Sequence, residues 1–373
     1  MLIREIDTRD KGDVRQFLDL PFKIYKGNKQ WVPPLRLDAK KQLDRNAHAF
    51  YETSDAAFFM AFSDRGEPTG RIAVLDNERY NAHKNTRTAF FYLFEVVDDF
   101  KTAEALFGAA FDWARKRGLN AILGPKGFTP LNGLGMLTRG FEHRPALGIP
   151  YNPPYYPEFI ERLGFAEIRE VLSGYMNREH HLPDKIAIIA ERVREKRGLV
   201  VEQYESRADL RNAIPKIKEL YNGSLTEPSG NAPLTEAEIG QMANQILWFA
   251  DPRLIKILTK DKRPVGFLFA YPDISVALQK TKGKLFPFGW LRILIELKTT
   301  RWINFNGAGI IEEYRGLGGT AVLFHEMAES VLAGRYREAD LVQIGTENDR
   351  MQREMSSFGI NFYKSHKIYE RTL

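Results

Sequence analysis

The 373-residue chain is 43% hydrophobic and 27% charged, a balance typical of soluble globular cores, and it is long enough for two domains of ordinary size. It has no cysteine, which excludes a disulfide framework, a thiolate nucleophile and a cysteine-ligated metal. Its net charge of +6 favours an anionic ligand such as a nucleotide cofactor. The Lys and Arg residues are spread along the chain, and the cluster Arg192 to Arg197 reads as a solvated helix face. Nucleic acid is therefore not the expected partner. No apolar run is long enough to span a bilayer, and the start Met-Leu-Ile-Arg-Glu-Ile-Asp lacks a signal peptide's apolar stretch. A cytoplasmic location is expected.

Leu2 to Ile6 reads as a strand, Asp10 to Tyr25 as a helix and Trp31 to Leu35 as an extended segment stiffened by prolines. Ala57 to Phe62 and Gly70 to Leu75 form a hairpin, and Phe90 to Val97 is another strand. A helix from Asp99 to Arg117 closes at Gly118 and leads to the strand Leu119 to Leu123. Pro157 to Leu163 reads as helix and Phe165 to Met176 as strand. The same order then returns. Leu199 to Tyr204 is a strand, Ala208 to Tyr221 a helix, and Arg253 to Thr259 with Val265 to Tyr271 a hairpin. Ile303 to Ile311 is a strand, followed by the glycine turn at Gly316, Gly318 and Gly319 and a helix from Thr320. Ala339 to Ile344, Asp349 to Ser357 and Ile360 to Glu370 complete the repeat as strand, helix and strand.

Residue matches support duplication. Pro68-Thr-Gly70-Arg-Ile pairs with Pro264-Val-Gly266-Phe-Leu, and Glu95-Val-Val-Asp-Asp-Phe-Lys101 pairs with Gly309 and Ile310-Ile311-Glu-Glu-Tyr-Arg315. Leu163-Gly164 pairs with Phe358-Gly359. The first half runs from Lys101 into its helix without a glycine, so the turn is particular to the second half.

A strand, a glycine turn and a helix aim unpaired N–H groups and the positive end of the helix dipole at an anion. A P-loop would need Lys and Ser or Thr after its last glycine, and a dinucleotide fingerprint would need G-x-G-x-x-G; neither is present. The run Glu-Tyr-Arg315-Gly-Leu-Gly318-Gly-Thr320 resembles the pyrophosphate loop of the GNAT superfamily of acyl-CoA N-acyltransferases, which reads Arg or Gln, two residues, Gly, one residue, then Gly or Ala. Arg315 and Gly318 match, while Thr320 replaces the last small residue. The element order of both halves, Asn348 ahead of a helix ending near Gly359, and Glu161-Arg-Leu-Gly164-Phe165 extend the resemblance over almost the whole chain.

The resemblance implies an α/β (α+β) fold of two tandem GNAT-like domains, each a mixed, mostly antiparallel sheet flanked by helices. Residues 1–178 would form a structural or substrate-shaping domain without the pyrophosphate loop, and residues 179–373 the acyl-CoA-binding domain. It implies transfer of an acyl group from acetyl-CoA or another acyl-CoA to a small-molecule or peptide amine. Cofactor contacts fall at Ile310, Ile311, Arg315, Gly316, Leu317, Gly318, Gly319, Thr320 and Asn348, and no metal is expected. The alternatives are a non-catalytic acyl-CoA-binding protein and an aminoacyl-tRNA-dependent transferase of the tandem type.

The strand before the turn lacks the carboxylate that such enzymes often use as a base, and Met355 stands where many have a tyrosine acid. Asn304, Asn306, Tyr363 and Tyr156 are the remaining catalytic candidates. Glu312 and Glu313 read as strand-end solvation. The aromatic stretch Gly124 to Tyr156 is either a pocket wall, with Arg139, Asn152, Tyr155 and Tyr156 as polar contacts, or a packed lid. Leu285 to Leu297 reads as a buried helix, ahead of an acyl tunnel or a membrane-surface segment. His180-His181 reads as a solvated pair in the linker.

Overall fold

A computed structural model describes residues 1–179, 183–224 and 231–373. His180 and His181 lie outside the described residues. The chain divides into two units, and each takes pieces from distant parts of the sequence.

The first unit comprises Met1–Val171, Ser275–Arg292 and Lys364–Leu373. In chain order the first half gives β1 (Leu2–Glu5), α1 (Lys11–Ile24), α2 (Arg36–Leu43), β2 (Asp55–Phe62), β3 (Pro68–Asp76), α3 (Glu78–Lys84), β4 (Thr88–Val96) and α4 (Phe100–Lys116). It continues with β5 (Ala121–Gly124), β6 (Met136–Arg139), α5 (Tyr156–Arg162) and β7 (Ala166–Asn177). Strands β1 to β4 pair antiparallel in sequence order, and β4 pairs β5 in parallel. On β3, Ile72 and Val74 face the cluster around Phe107 of α4, while Ala73 and Leu75 face the cluster around Phe17 of α1. A strand covered on both faces has no polar side to show, which is why Ala57 to Phe62 and Ile72 to Leu75 read as unbroken apolar runs.

The second unit comprises Leu172–Ile274 and Ile293–Tyr363. The second half gives α6 (Asp184–Arg197), β8 (Leu199–Glu202), α7 (Arg207–Ser224), α8 (Glu236–Phe249), β9 (Ile255–Lys260) and β10 (Arg263–Pro272). The insertion follows as α9 (Ser275–Thr281) and α10 (Gly289–Thr299). Then come β11 (Trp302–Ile310), α11 (Gly319–Ala333), β12 (Glu338–Gly345), α12 (Asp349–Ser357) and β13 (Asn361–Thr372). The sheet of this unit runs β7-β12-β11-β10-β9-β8. Its core joins Leu268, Ile303 and Phe305 of the sheet to Val322, Phe324 and Met327 of α11.

Each sheet is finished by the last strand of the other half of the sequence. In the first unit β5 pairs antiparallel with β13, from Tyr369↔Gly124 to Thr372↔Ala121. In the second, β12 lies beside β7. The duplication also shows in backbone detail. β4 bulges against β3 where Arg71↔Glu95 passes to Ala73↔Tyr92, and β11 bulges against β10 where Leu268↔Ala308 passes to Ala270↔Phe305. Each bulge holds a positive-φ residue, Leu93 at 49° and Gly307 at 137°. Just after each strand the matched Val97 and Ile311 donate their N–H groups to Thr69 (2.9 Å) and Val265 (3.0 Å).

One expectation is overturned. The stretch Leu285 to Leu297 holds a helix, but it is not buried: Phe286 is 75% and Phe288 71% exposed. Along α10 Ile293 and Leu297 turn inward, a stripe one residue wide, whereas Trp290, Leu291, Leu294 and Ile295 are exposed. The segment carries more apolar residues than its buried stripe can cover.

Candidate functional site

The site begins where two parallel strands part. β11 and β12 pair from Trp302↔Glu338 to Phe305↔Leu341 and no further, although β11 runs on to Ile310 and β12 to Gly345. From Ile303 and Ala339 to the last pair these strands are buried; beyond it 306–310 and 342–344 are all partly exposed. The bulge at Asn306 and Gly307 supplies the local bend, since an extra residue on one strand increases its twist. On its other edge β11 stays bonded to β10 as far as Gly266↔Ile310. Its edge toward β12 is left with backbone N–H and C=O groups that an extended ligand can pair with.

The glycine turn follows directly. Gly316 and Gly318 have φ of +81° and +85°, conformations that side chains other than glycine's rarely adopt. A Cβ on Gly318 would stand 2.6 Å from Val193 of α6, and one on Gly319 would stand 2.7 Å from Leu258. Gly318 caps α11 without any side-chain hydrogen bond, and bonding inside the helix begins with the Val322 N–H on the Gly318 carbonyl (3.4 Å). The N–H groups of the first turn therefore point out of the helix with no partner from it. Arg315 is fixed from behind: its Nε donates to the Ile310 carbonyl (3.0 Å) and a terminal nitrogen to the Ser224 carbonyl (3.4 Å). Leu317 packs against the unit's core together with Ile310 and Ile311. Thr320 is partly exposed in the first turn of α11. Asn348 caps α12, accepting the Met351 N–H (3.1 Å).

On the opposite side of the sheet from α11 lies a polar cluster. Asn304 is in register with Tyr271 on β10 and with Asp340 on β12, so the three side chains share one face. The Asn306 amide donates to the Tyr271 hydroxyl (2.8 Å); burial pushes that phenol's pKa up. Tyr363 donates to the Asp340 carboxylate (3.0 Å), and Tyr175 meets Tyr363 edge-on at 5.8 Å between ring centroids and donates to Glu338. The hydrogen bond to Glu338, with burial second, holds the Tyr175 phenol up to about 12. Asn304 is 1% exposed and its amide nitrogen has no hydrogen-bond partner, which leaves a buried donor for a ligand oxygen or a water.

Asn304, Asn306 and Tyr363 are thus gathered near the parting, with a carboxylate that reading the strand before the turn did not find. Asp340 is 2% exposed on the neighbouring strand, in Glu338-Ala-Asp-Leu-Val342. An acid set between the apolar residues Ala339 and Leu341 was the available signal. Glu312 and Glu313 are exposed, and Glu313 pairs with Arg263 (2.7 Å).

The first-half candidates belong to the first unit. Tyr156 is buried in the core of the first unit, where its hydroxyl accepts the Val96 N–H (2.7 Å) and donates to the Val96 carbonyl (3.2 Å). Tyr155 also donates to the Val96 carbonyl (2.8 Å). Asn152 is buried, and its amide bonds both the N–H (2.7 Å) and the C=O (3.1 Å) of Leu137. Arg139 sits exposed on β6, opposite Ser365 of β13. Among the described residues no group of three or more His, Asp or Glu is placed to hold a metal ion.

No protein-family model matches the chain. It is 27% identical over 377 residues to Protein YghO of Escherichia coli (strain K12), covering 98% of this chain and 94% of that protein. It is 25% identical over 380 residues to the bacterial ceramide synthase of Caulobacter vibrioides (strain NA1000 / CB15N), covering 99% of this chain and 97% of that one. Among solved structures, a tandem GNAT protein from the clavulanic acid biosynthesis pathway shares the fold over 100% of this chain and 98% of its own, with a TM-score of 0.60 and 13% identity.

Proposed function

We propose, from the premise that this chain has the tandem GNAT fold, that it is an N-acyltransferase working at the parting of β11 and β12. The single observation that carries this reading is the opening itself: two central strands lose their pairing directly ahead of an uncapped, glycine-formed helix start. The pyrophosphate of an acyl-CoA rests on the N–H groups from Gly316 to Thr320. Its extended arm pairs with the free edge of β11 at 306–310, which brings the thioester beside Asn306. Arg192, Lys196 and Arg197, exposed on the helix that packs at Gly318, add positive charge to the approach.

In the reaction the amine nitrogen attacks the thioester carbonyl, the C–N bond forms, the C–S bond breaks and CoA leaves as the thiolate. The proton lost by nitrogen passes through Tyr363 and water to Asp340, with Asn304 and Asn306 orienting the reactants. Much of the rate comes from holding amine and thioester together. The name of the Caulobacter relative favours a long-chain amino alcohol as acceptor and a long acyl chain as cargo.

The test is release of free CoA from palmitoyl-CoA in the presence of a long-chain amino alcohol, with the amide product identified by mass. Asp340→Asn should lower kcat by roughly 10²- to 10³-fold, as expected for loss of a general base, and leave acyl-CoA affinity unchanged. An unchanged kcat would remove Asp340 from the mechanism, and no CoA release with any amine would remove the transferase reading.

A further inference from the structure

We infer that the turn Leu285–Gly289 and the outward face of α10 form a docking surface for an anionic lipid bilayer, lying in its headgroup region without crossing it. The apolar side chains are at the surface: Phe286 is 75% exposed, Phe288 71%, Ile295 53% and Leu291 45%. A contiguous patch of this kind has a partner in solution or on a membrane.

The turn is built to hold these rings outward. The Trp290 N–H donates to the Leu285 carbonyl (2.9 Å), and the Trp290 indole donates to the Pro287 carbonyl (3.1 Å). A Cβ on Gly289 would fall 1.8 Å from the Lys284 carbonyl oxygen, so only glycine closes the loop. Gly283, just before it, is fixed to the first unit: its carbonyl accepts the Arg36 N–H (2.9 Å), and a Cβ there would meet the Pro34 oxygen at 2.1 Å. Phe286 and Phe288 therefore project from a constrained base and do not fold back on the protein.

Charge selects the partner. The exposed residues Lys280, Lys282, Lys284, Arg292, Lys298 and Arg301 flank the apolar residues, and Glu296 is the one acid in that stretch. Aromatic and aliphatic residues ringed by Lys and Arg suit a surface whose interior is apolar and whose headgroups are anionic. A second copy of this chain suits it poorly, because a symmetric pairing would oppose the same basic residues of both copies. α10 has 11 residues, well short of the roughly 20 that a membrane span needs, and no described helix is long and apolar enough to cross. The inference does not depend on the acyl-transfer reading.

The test is co-sedimentation of the full chain with vesicles of phosphatidylcholine alone and of phosphatidylcholine with roughly 30% phosphatidylglycerol. Binding is expected on the anionic vesicles, at least about tenfold tighter than on the neutral ones, and weakening with salt. The double variant Phe286→Ser, Phe288→Ser should lose about tenfold or more on anionic vesicles. Each charge reversal, Lys282→Glu and Lys284→Glu, should cost roughly fivefold. Brominated lipid should quench tryptophan fluorescence in the wild type, and less of it in Trp290→Phe. All these side chains are exposed, so an unchanged melting temperature shows that the fold is intact. Wild-type protein that ignores anionic vesicles overturns the proposal, as does a Phe286→Ser, Phe288→Ser variant that binds them equally well. So does a dimer that this variant dissociates without any vesicle binding, which would make the surface a self-association face.

Discussion

Helices α4 and α11 each follow the bulged strand of their half, yet their first turns are treated oppositely. At α4 the carboxylate of Asp99 accepts the Thr102 N–H (3.2 Å) and the Thr102 hydroxyl, so the anion is supplied by the chain itself. At α11 the N-cap position is held by Gly318, with no side chain to offer. The strand ends differ in the same sense. Val96 has its N–H and C=O taken by Tyr155 and Tyr156, and the Lys126 N–H closes on the Phe91 carbonyl (2.9 Å) beside the end of β5. In the second unit the matched stretch 306–310 is partly exposed. In the first copy side chains meet the polar groups of the helix start and the strand end; at the helix start of the second copy no side chain does so, which is the contrast behind the proposed ligand site. A cap and a few hydroxyls are enough to make that difference, without any change of topology.

The comparison is broken most severely at the glycine. Gly318→Val would force a β-branched residue into φ of +85° and into Val193, and should weaken acyl-CoA binding by roughly 100-fold, or about 2.7 kcal/mol. Calorimetric titration checks it, with the melting temperature measured alongside; wild-type affinity would mean that the phosphates rest elsewhere. The reciprocal change is Tyr156→Phe in the first unit. It strips the buried Val96 N–H of its acceptor and should cost roughly 1–3 kcal/mol in urea unfolding, with acyl-CoA affinity untouched. A loss of acyl-CoA affinity would show that Tyr156 serves the ligand site as well as the core.

A smaller effect tests where the last strand belongs. His366 of β13 is fully buried in the first unit, with Nε2 3.0 Å from the Pro150 carbonyl and no partner at Nδ1. Burial holds its pKa down to about 4, although the Pro150 carbonyl pulls it the other way. The neutral ring is favoured in the fold, so its contribution is complete above the ordinary value near 6.5 and is lost as pH falls from there toward 4, by up to about 1.4 kcal/mol per pH unit. Unfolding midpoints across that window should fall in the wild type and flatten in His366→Gln. Parallel curves for the two would place the imidazole in water.

Local chemistry made half of this legible. The glycine turn, the repeated order of strands and helices, and the apolar runs of β2 and β3 all follow from residue type and spacing, and they stand in the structure. The exchange of last strands was not legible, because Ile368 and Tyr369 of β13 would suit either sheet and pairing across such a separation leaves no local mark. Asp340 was missed because the carboxylate was sought on β11, whereas the parallel neighbour β12 brings it into register with Asn304. The helix α8 had a readable start: Thr235 and Glu238 form a reciprocal cap, with the Glu238 N–H on the threonine hydroxyl (3.1 Å) and the Thr235 N–H on the glutamate carboxylate (2.8 Å). The exposed face of α10 was set behind a buried helix, although a membrane-surface segment was among the readings, because apolar composition signals burial without saying by what.

The claim that one copy is open and the other self-filled is tested most directly by the stoichiometry of acyl-CoA binding to the full chain. Isothermal titration with a non-hydrolysable acyl-CoA thioether should give one site per chain in the wild type, one in Tyr156→Phe and none in Gly318→Val. Two sites of similar affinity in the wild type, or one that survives in Gly318→Val, would contradict the account.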